Sequence, residues 1–202
     1  MGKVHPRFMR SDVRGRSNSP HCERVSCGLP HYIRYNSTVM PKEPKIRVLF
    51  ICMGNICRSP TAEAVFRRTV DKAGLGDAIE CDSAGTHDYH IGEPPDQRAQ
   101  LAASRRGYDM SNLRGRKVGP KDFESFDYVV AMDRRNYSLL ENLCPPEYAG
   151  KLKLYCDFDD NFAGCEVPDP YYGGAQGFEQ VLDMIEAVSA SLVARLREPS
   201  RA

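Results

Sequence analysis

A three-layer α/β/α fold around a central, mostly parallel four-stranded sheet is predicted by three features of the 202-residue chain. From Ile46 onward, short β-rich runs alternate with stretches of helical period. The first run, "VLFI", is apolar without interruption, and a tight polar turn then leads straight into a helix. Alternating strands and helices imply parallel strands joined by crossovers, with helices covering both faces. Ligands in such folds sit beyond the carboxyl ends of the strands.

Taken in order, residues 1–44 mix Arg, Ser, His, Pro and Gly without helical or alternating period, and they read as a disordered basic extension. Three origins stay open: an organelle transit peptide, a genuine basic arm, or translated upstream sequence with the start at Met40. The last is favoured, because Met40 directly precedes "PKEPKIRVLF", where ordered patterning begins. His21, Cys22, Cys27 and His31 have spacings that zinc tolerates, but without a second pair they are read as solvated tail, and no metal is expected.

A single α/β domain is then expected over residues 45–198. Its first strand, Ile46–Ile51, is buried on both faces, as a continuous apolar run requires. Ala62, Val65, Phe66, Thr69, Val70 and Ala73 recur at helical spacing, with Ser59 expected as N-cap and Pro60 at the first helical position. A second strand is predicted at Ile79–Asp82, a helix at Pro95–Arg106, a third strand at Tyr128–Met132 and a helix at Arg134–Leu143. A shorter strand follows at Lys153–Tyr155. The last helix starts near Phe178, with Val181, Leu182, Ile185, Val188, Leu192 and Leu196 on one face.

Bulk composition narrows the functional classes. Hydrophobic residues make up 41% of the chain, enough for the core of one domain. The net charge of +1 offers no reason to expect nucleic acid, although residues 1–39 hold seven bases against two acids and leave the body mildly acidic. No apolar run approaches the ~18–20 residues that span a bilayer, so no membrane partner is expected. The opening residues also lack the apolar core of a secretory signal. A reducing compartment is therefore expected, with the eight cysteines as thiols.

The chemistry concentrates in "CMGNICRSP", residues 52–60. Gly54 and Asn55 tolerate positive φ, and a turn of inward-pointing amides at a helix start makes a concave anion site. No Gly-Lys-Ser/Thr follows, so this is not the nucleotide version of such a loop. Cys52 stands where the loop amides of Met53, Gly54, Asn55, Ile56 and Cys57 would stabilise a negative sulfur. Arg58 offers paired donors to phosphate oxygens, and Ser59 can give its hydroxyl to the Cys52 thiolate. A nucleophile, an oxyanion cradle and a guanidinium fork lie within eight residues.

On these residues the chain resembles the low-molecular-weight protein tyrosine phosphatases, whose signature loop is C-x5-R-S. "DSAGT" (82–86), "DFESFDYVVAMDRRN" (122–136) and "DPYYGGAQGFEQVLDMIE" (169–186) match later landmarks in the same order, so the resemblance covers residues 46–197. It implies hydrolysis of phosphotyrosine and aryl phosphates through a cysteinyl-phosphate, with Cys52 as nucleophile and Asp169, between Pro168 and Pro170, as general acid and then base. Tyr171 and Tyr172 would pack the phenyl ring, with Tyr89 at the pocket mouth. Asn55 and Ser83 match positions that brace the loop, and Asp133 an acid at its base. The family often has a histidine in H-x-x-R to support the loop asparagine. Here Leu113 takes that place while Arg116 is kept, so an altered brace is expected.

The mechanism so implied needs no metal or organic cofactor, and the expected partner is a tyrosine-phosphorylated protein. A monomer, or a weakly self-associating chain, in the cytoplasm is expected, with a plastid as the alternative if residues 1–44 are a transit peptide. Cys57 can capture an oxidised Cys52 as a disulfide. Two rivals remain: a thioredoxin-coupled arsenate reductase of the same fold, which would pass electrons through Cys156 and Cys165, and a module that binds phosphoprotein without turnover.

Overall fold

The computed structural model describes residues 45–197, so the expectations for residues 1–44 lie outside the described residues. Four strands, β1 (Ile46–Cys52), β2 (Ile79–Gly85), β3 (Tyr128–Ala131) and β4 (Leu152–Leu154), form one sheet in the order β2-β1-β3-β4. All three pairings are parallel, with Phe50 opposite Ser83 on one side and Val130 on the other. The helices are α1 (Arg58–Lys72), α2 (Gln97–Arg105), α3 (Pro120–Ser125), α4 (Arg134–Leu143) and α5 (Ala175–Arg197). None of them is long and apolar enough to cross a membrane.

Period-two alternation along β1 divides the core. Val48, Phe50 and Cys52 face α1 and α5, joining Val65, Phe66, Val181 and Ile185 in one cluster. Leu49 and Ile51 face the other way, against Phe123 of α3 and Leu140 of α4. Two apolar faces on one strand leave no polar face, which is why "VLFI" shows no alternation in hydropathy.

Several boundaries differ from the sequence reading. β2 extends three residues beyond Asp82, because its pairing with β1 continues to Cys52 opposite Gly85. β4 falls one residue early: Tyr155 leaves the sheet for a 3-10 turn, where its hydroxyl reaches Ser189 Oγ at 2.8 Å and Ile185 O at 3.0 Å. α3 was not predicted, since six residues are too few to show a period. The N-cap of α1 is Cys57, not Ser59, and Pro60 sits in the first turn rather than at its first position. The Ser59 hydroxyl is engaged elsewhere, and Pro60 loses nothing because the first helical amides have no partner within the helix.

Tyr155 and Ser189 are both fully buried. Tyr155→Phe leaves the Ser189 hydroxyl without its partner and is expected to cost about 1–3 kcal/mol, read from the urea midpoint. Adding Ser189→Ala should recover part of that loss, and an unchanged midpoint in the single variant would contradict the account.

Candidate active site

Beyond the carboxyl end of β1, residues 52–58 curl into the loop that starts α1. Two links pin it from β2's side: Thr86 N donates to Cys52 O (2.9 Å) and His87 N to Met53 O (3.0 Å). A Cβ on Gly85 would stand 2.8 Å from Met53 O, so only glycine lets the strand end approach the loop this closely. Asn55 has φ 57°, the left-handed region that asparagine tolerates. Gly54, also expected there, is not; its missing side chain instead leaves room for the His90 ring.

Hydrogen bonds converge on the Cys52 sulfur. It accepts from Asn55 N (3.3 Å) and shares a hydrogen bond with Ser59 Oγ (3.0 Å). Ser59 lies on the buried side of α1, which brings its hydroxyl to the sulfur rather than to the helix amides. Cys57, the other thiol of the loop, is buried. That burial, with the negative fields of Asp96, Cys52 and Asp169, pushes its thiol up. Cys57 is thus kept protonated.

The buried Asn55 amide holds the loop in shape. Its Nδ2 donates to Ser59 Oγ (3.0 Å) and Ser83 Oγ (2.9 Å), and its Oδ1 accepts from Arg116 N (2.9 Å). Leu113 therefore leaves no gap in the brace: a backbone amide supplies the donor. Arg116 is itself fixed by Asp82 (2.9 Å) and Asp122 (3.1 Å). Ser83 Oγ in turn donates to Glu63 Oε2 (2.7 Å), which leaves its lone pairs for Asn55.

Sequence reasoning missed Glu63, which sits at a helix position with no signal beyond its charge. Burial pushes its carboxyl above the usual range, against the opposing pull of Ser83 and Arg67. A carboxyl raised on folding contributes most to stability below its unfolded value, about 4.3, and that contribution is lost as pH rises through the folded value. Glu63→Gln removes this dependence. Between about pH 4 and pH 8 the denaturant midpoint of the variant is expected to gain on that of the parent. A gap that stays flat or narrows would contradict this.

Arg58 is 3% exposed and spans the site floor. Its Nη1 donates to Asp133 Oδ2 (2.6 Å) and Val167 O (3.2 Å), and its Nη2 to Asp169 Oδ2 (2.8 Å). Burial works against its charge, but Cys52, Asp169 and Asp133 more than offset this and hold the guanidinium protonated. Asp133 also caps α4 through Asn136 N, so its carboxylate is doubly fixed. Asp169 has its other oxygen on Tyr171 N (3.1 Å), a turn that aims the carboxyl over the cavity.

A cavity of about 370 Å³ is lined by Cys52, Met53, Gly54, Ile56, Cys57, Arg58, Tyr89, Asp169, Tyr171 and Tyr172, and also by His90 and Arg135. Asn55 and Ser59 are buried behind it. Tyr89 stacks on His87, and Tyr171 meets Tyr172 edge to face at 5.0 Å. Arg98, another residue sequence reasoning missed, steadies this wall: it lies over the Tyr171 ring and donates to Tyr171 O (3.0 Å) while paired with Asp96. The groove at the opposite ends of β1 and β2, lined by Arg47, Cys81 and Phe126, has no such convergence of groups on one point. Cys156 is buried against Met184, and neither it nor Cys165 lines the active-site cavity.

The family model for low molecular weight phosphotyrosine protein phosphatases matches residues 47–202. A Streptomyces coelicolor low molecular weight protein-tyrosine-phosphatase is 46% identical over 155 residues, 75% of this chain and 94% of the relative. A human low molecular weight phosphotyrosine protein phosphatase is 39% identical over 144 residues, covering 70% and 90%. A crystal structure of a protein tyrosine phosphatase from Entamoeba histolytica, with Hepes in its active site, superposes with TM-score 0.73 at 42% identity, covering 75% of this chain and 97% of that one.

Proposed function

This chain belongs to the low molecular weight phosphotyrosine protein phosphatases, and from that premise we propose that it hydrolyses phosphotyrosine through a phosphoryl group carried on Cys52. The observation that supports this most directly is the placement of Arg58. Its own loop wraps the Cys52 sulfur, and its Nη2 holds Asp169 at 2.8 Å. Cys52, Arg58 and Asp169 thus line one cavity.

A substrate phosphate competes with Asp169 for that guanidinium nitrogen, while Asp133 keeps Nη1 in place. The amides of residues 53–57 take the remaining oxygens. Sulfur attacks phosphorus, the P–O bond to the tyrosyl oxygen breaks, and Asp169 gives its proton to that oxygen as it leaves. In the second half Asp169 takes a proton from water, whose oxygen displaces the sulfur and releases phosphate. Ser59 and Asn55 position the sulfur throughout, and Tyr89, Tyr171 and Tyr172 favour an aryl group over an alkyl one. In this reading Cys57, in the same loop, captures an oxidised Cys52 as a disulfide. A tyrosine-phosphorylated protein acted on by a monomer or weak self-associate in the cytoplasm, or in a plastid should residues 1–44 be a transit peptide, completes the reading.

Steady-state turnover of p-nitrophenyl phosphate and of a phosphotyrosine peptide tests it. Both are expected to be hydrolysed, with competitive inhibition by vanadate and no loss in chelator. Absence of turnover on both would overturn the reading. Cys156→Ser with Cys165→Ser should leave these rates intact, whereas an arsenate reductase would lose its electron path.

A further inference from the structure

Around the cavity, bases are matched with acids almost one for one. Lys117 pairs with Asp88 (3.1 Å), His90 with Glu93 (2.7 Å), Arg98 with Asp96 (2.7 Å) and Arg134 with Glu166 (3.0 Å). Arg58 has both Asp133 and Asp169. Arg135 is the exception. It is exposed and lines the cavity, yet among the described residues no acid or carbonyl meets its guanidinium.

The position makes that absence informative. Arg134 and Arg135 open α4, whose first turn carries no acidic residue, and a cation there is opposed by the helix dipole. Arg134 is compensated by Glu166 and by Gly164 O at 2.9 Å. Arg135 has no such relief, and local rules broken without local compensation tend to mark functional positions. The substrate phosphate is already served by the buried Arg58 and the loop amides. What an exposed guanidinium beside them meets is the peptide around the tyrosine.

We propose that Arg135 is a specificity-determining residue that pairs with a carboxylate side chain flanking the phosphotyrosine of a protein substrate. The inference rests on reading the cavity as a phosphotyrosine site and deepens it by naming the substrate class. A guanidinium fork matches a carboxylate in two parallel hydrogen bonds. It also repels a basic flank, so it selects by both attraction and exclusion.

The test compares kcat/KM on phosphotyrosine peptides that differ only in carrying Glu, Ala or Lys beside the phosphotyrosine, on each side in turn. The parent, Arg135→Ala and Arg135→Glu are assayed, with p-nitrophenyl phosphate alongside. The parent is expected to rank Glu over Ala over Lys on at least one side, by roughly two- to fivefold per step, the worth of an exposed ion pair. The ranking should shrink at high salt, flatten in Arg135→Ala and reverse in Arg135→Glu. A general structural role could not produce that reversal. If the parent hydrolyses neither the peptides nor p-nitrophenyl phosphate, the phosphatase reading itself fails. If it hydrolyses them without ranking them, or if Arg135→Ala ranks them as the parent does, only the role of Arg135 is overturned.

Discussion

Cys52→Ser is expected to lower kcat on aryl phosphate by roughly 10⁵–10⁶, the scale on which removing a nucleophile silences a hydrolase. The substitution is nearly isosteric, and the new hydroxyl keeps the partners of the sulfur, Asn55 N and Ser59 Oγ. Its failure is therefore chemical. A thiol gives up its proton far more readily than an alcohol, which needs a base to take it. The hydrogen-bond partners at that position are the Ser59 hydroxyl and the Asn55 amide, neither of which is a base. Phosphate or vanadate should still bind, because Arg58 and the loop amides are untouched. Calorimetric titration of phosphate beside the rate assay separates the two effects. Substantial residual turnover would mean that the sulfur does not form the bond to phosphorus.

Asp169→Ala is expected to cost roughly 10²–10⁴ in kcat for a phenolate leaving group, the usual worth of a positioned acid. The loss should shrink for dinitrophenolate, which departs without a proton. Asp169 also occupies Arg58 Nη2, so its removal frees one donor for phosphate. The inhibition constant for inorganic phosphate should thus fall or hold steady while kcat drops. A module that binds phosphoprotein without turnover would show no such split. Equal losses across leaving groups would remove Asp169 from the role of acid.

The parts of the site that were legible in the sequence are those built by neighbours in the chain. A buried strand, a tight turn, Arg58 and a helix start follow one another directly, and local sterics dictate how each continues from the last. Asn55 was readable as a left-handed position for the same reason. Asp169 was legible only through the resemblance, since an Asp-Pro turn alone has many uses. Ser59 shows where local reasoning misleads: its cap propensity is real, but the sulfur and Asn55 compete for the same hydroxyl and prevail.

Glu63, Arg98, Arg116 and Arg135 belong to a different kind of information. Ser83 meets Asn55 and Glu63 because β1 and β2 align in one register, with Phe50 opposite Ser83. A shift of one residue would turn Ser83 to the other face. Arg116 braces the loop across sixty-one positions of sequence, through an amide whose partner no pattern announces.

By itself, then, the chain's order of residues determined the α/β alternation, the tight turn after the first strand and the sulfur at its mouth, because each depends on φ, ψ and side-chain period within a few residues. Only the tertiary structure decided which carboxylates hold Arg58, what replaces the absent histidine behind Asn55, and which arginine at the cavity is left without a partner. Those outcomes depend on strand register and helix packing, which bring distant residues within hydrogen-bonding range and leave others alone.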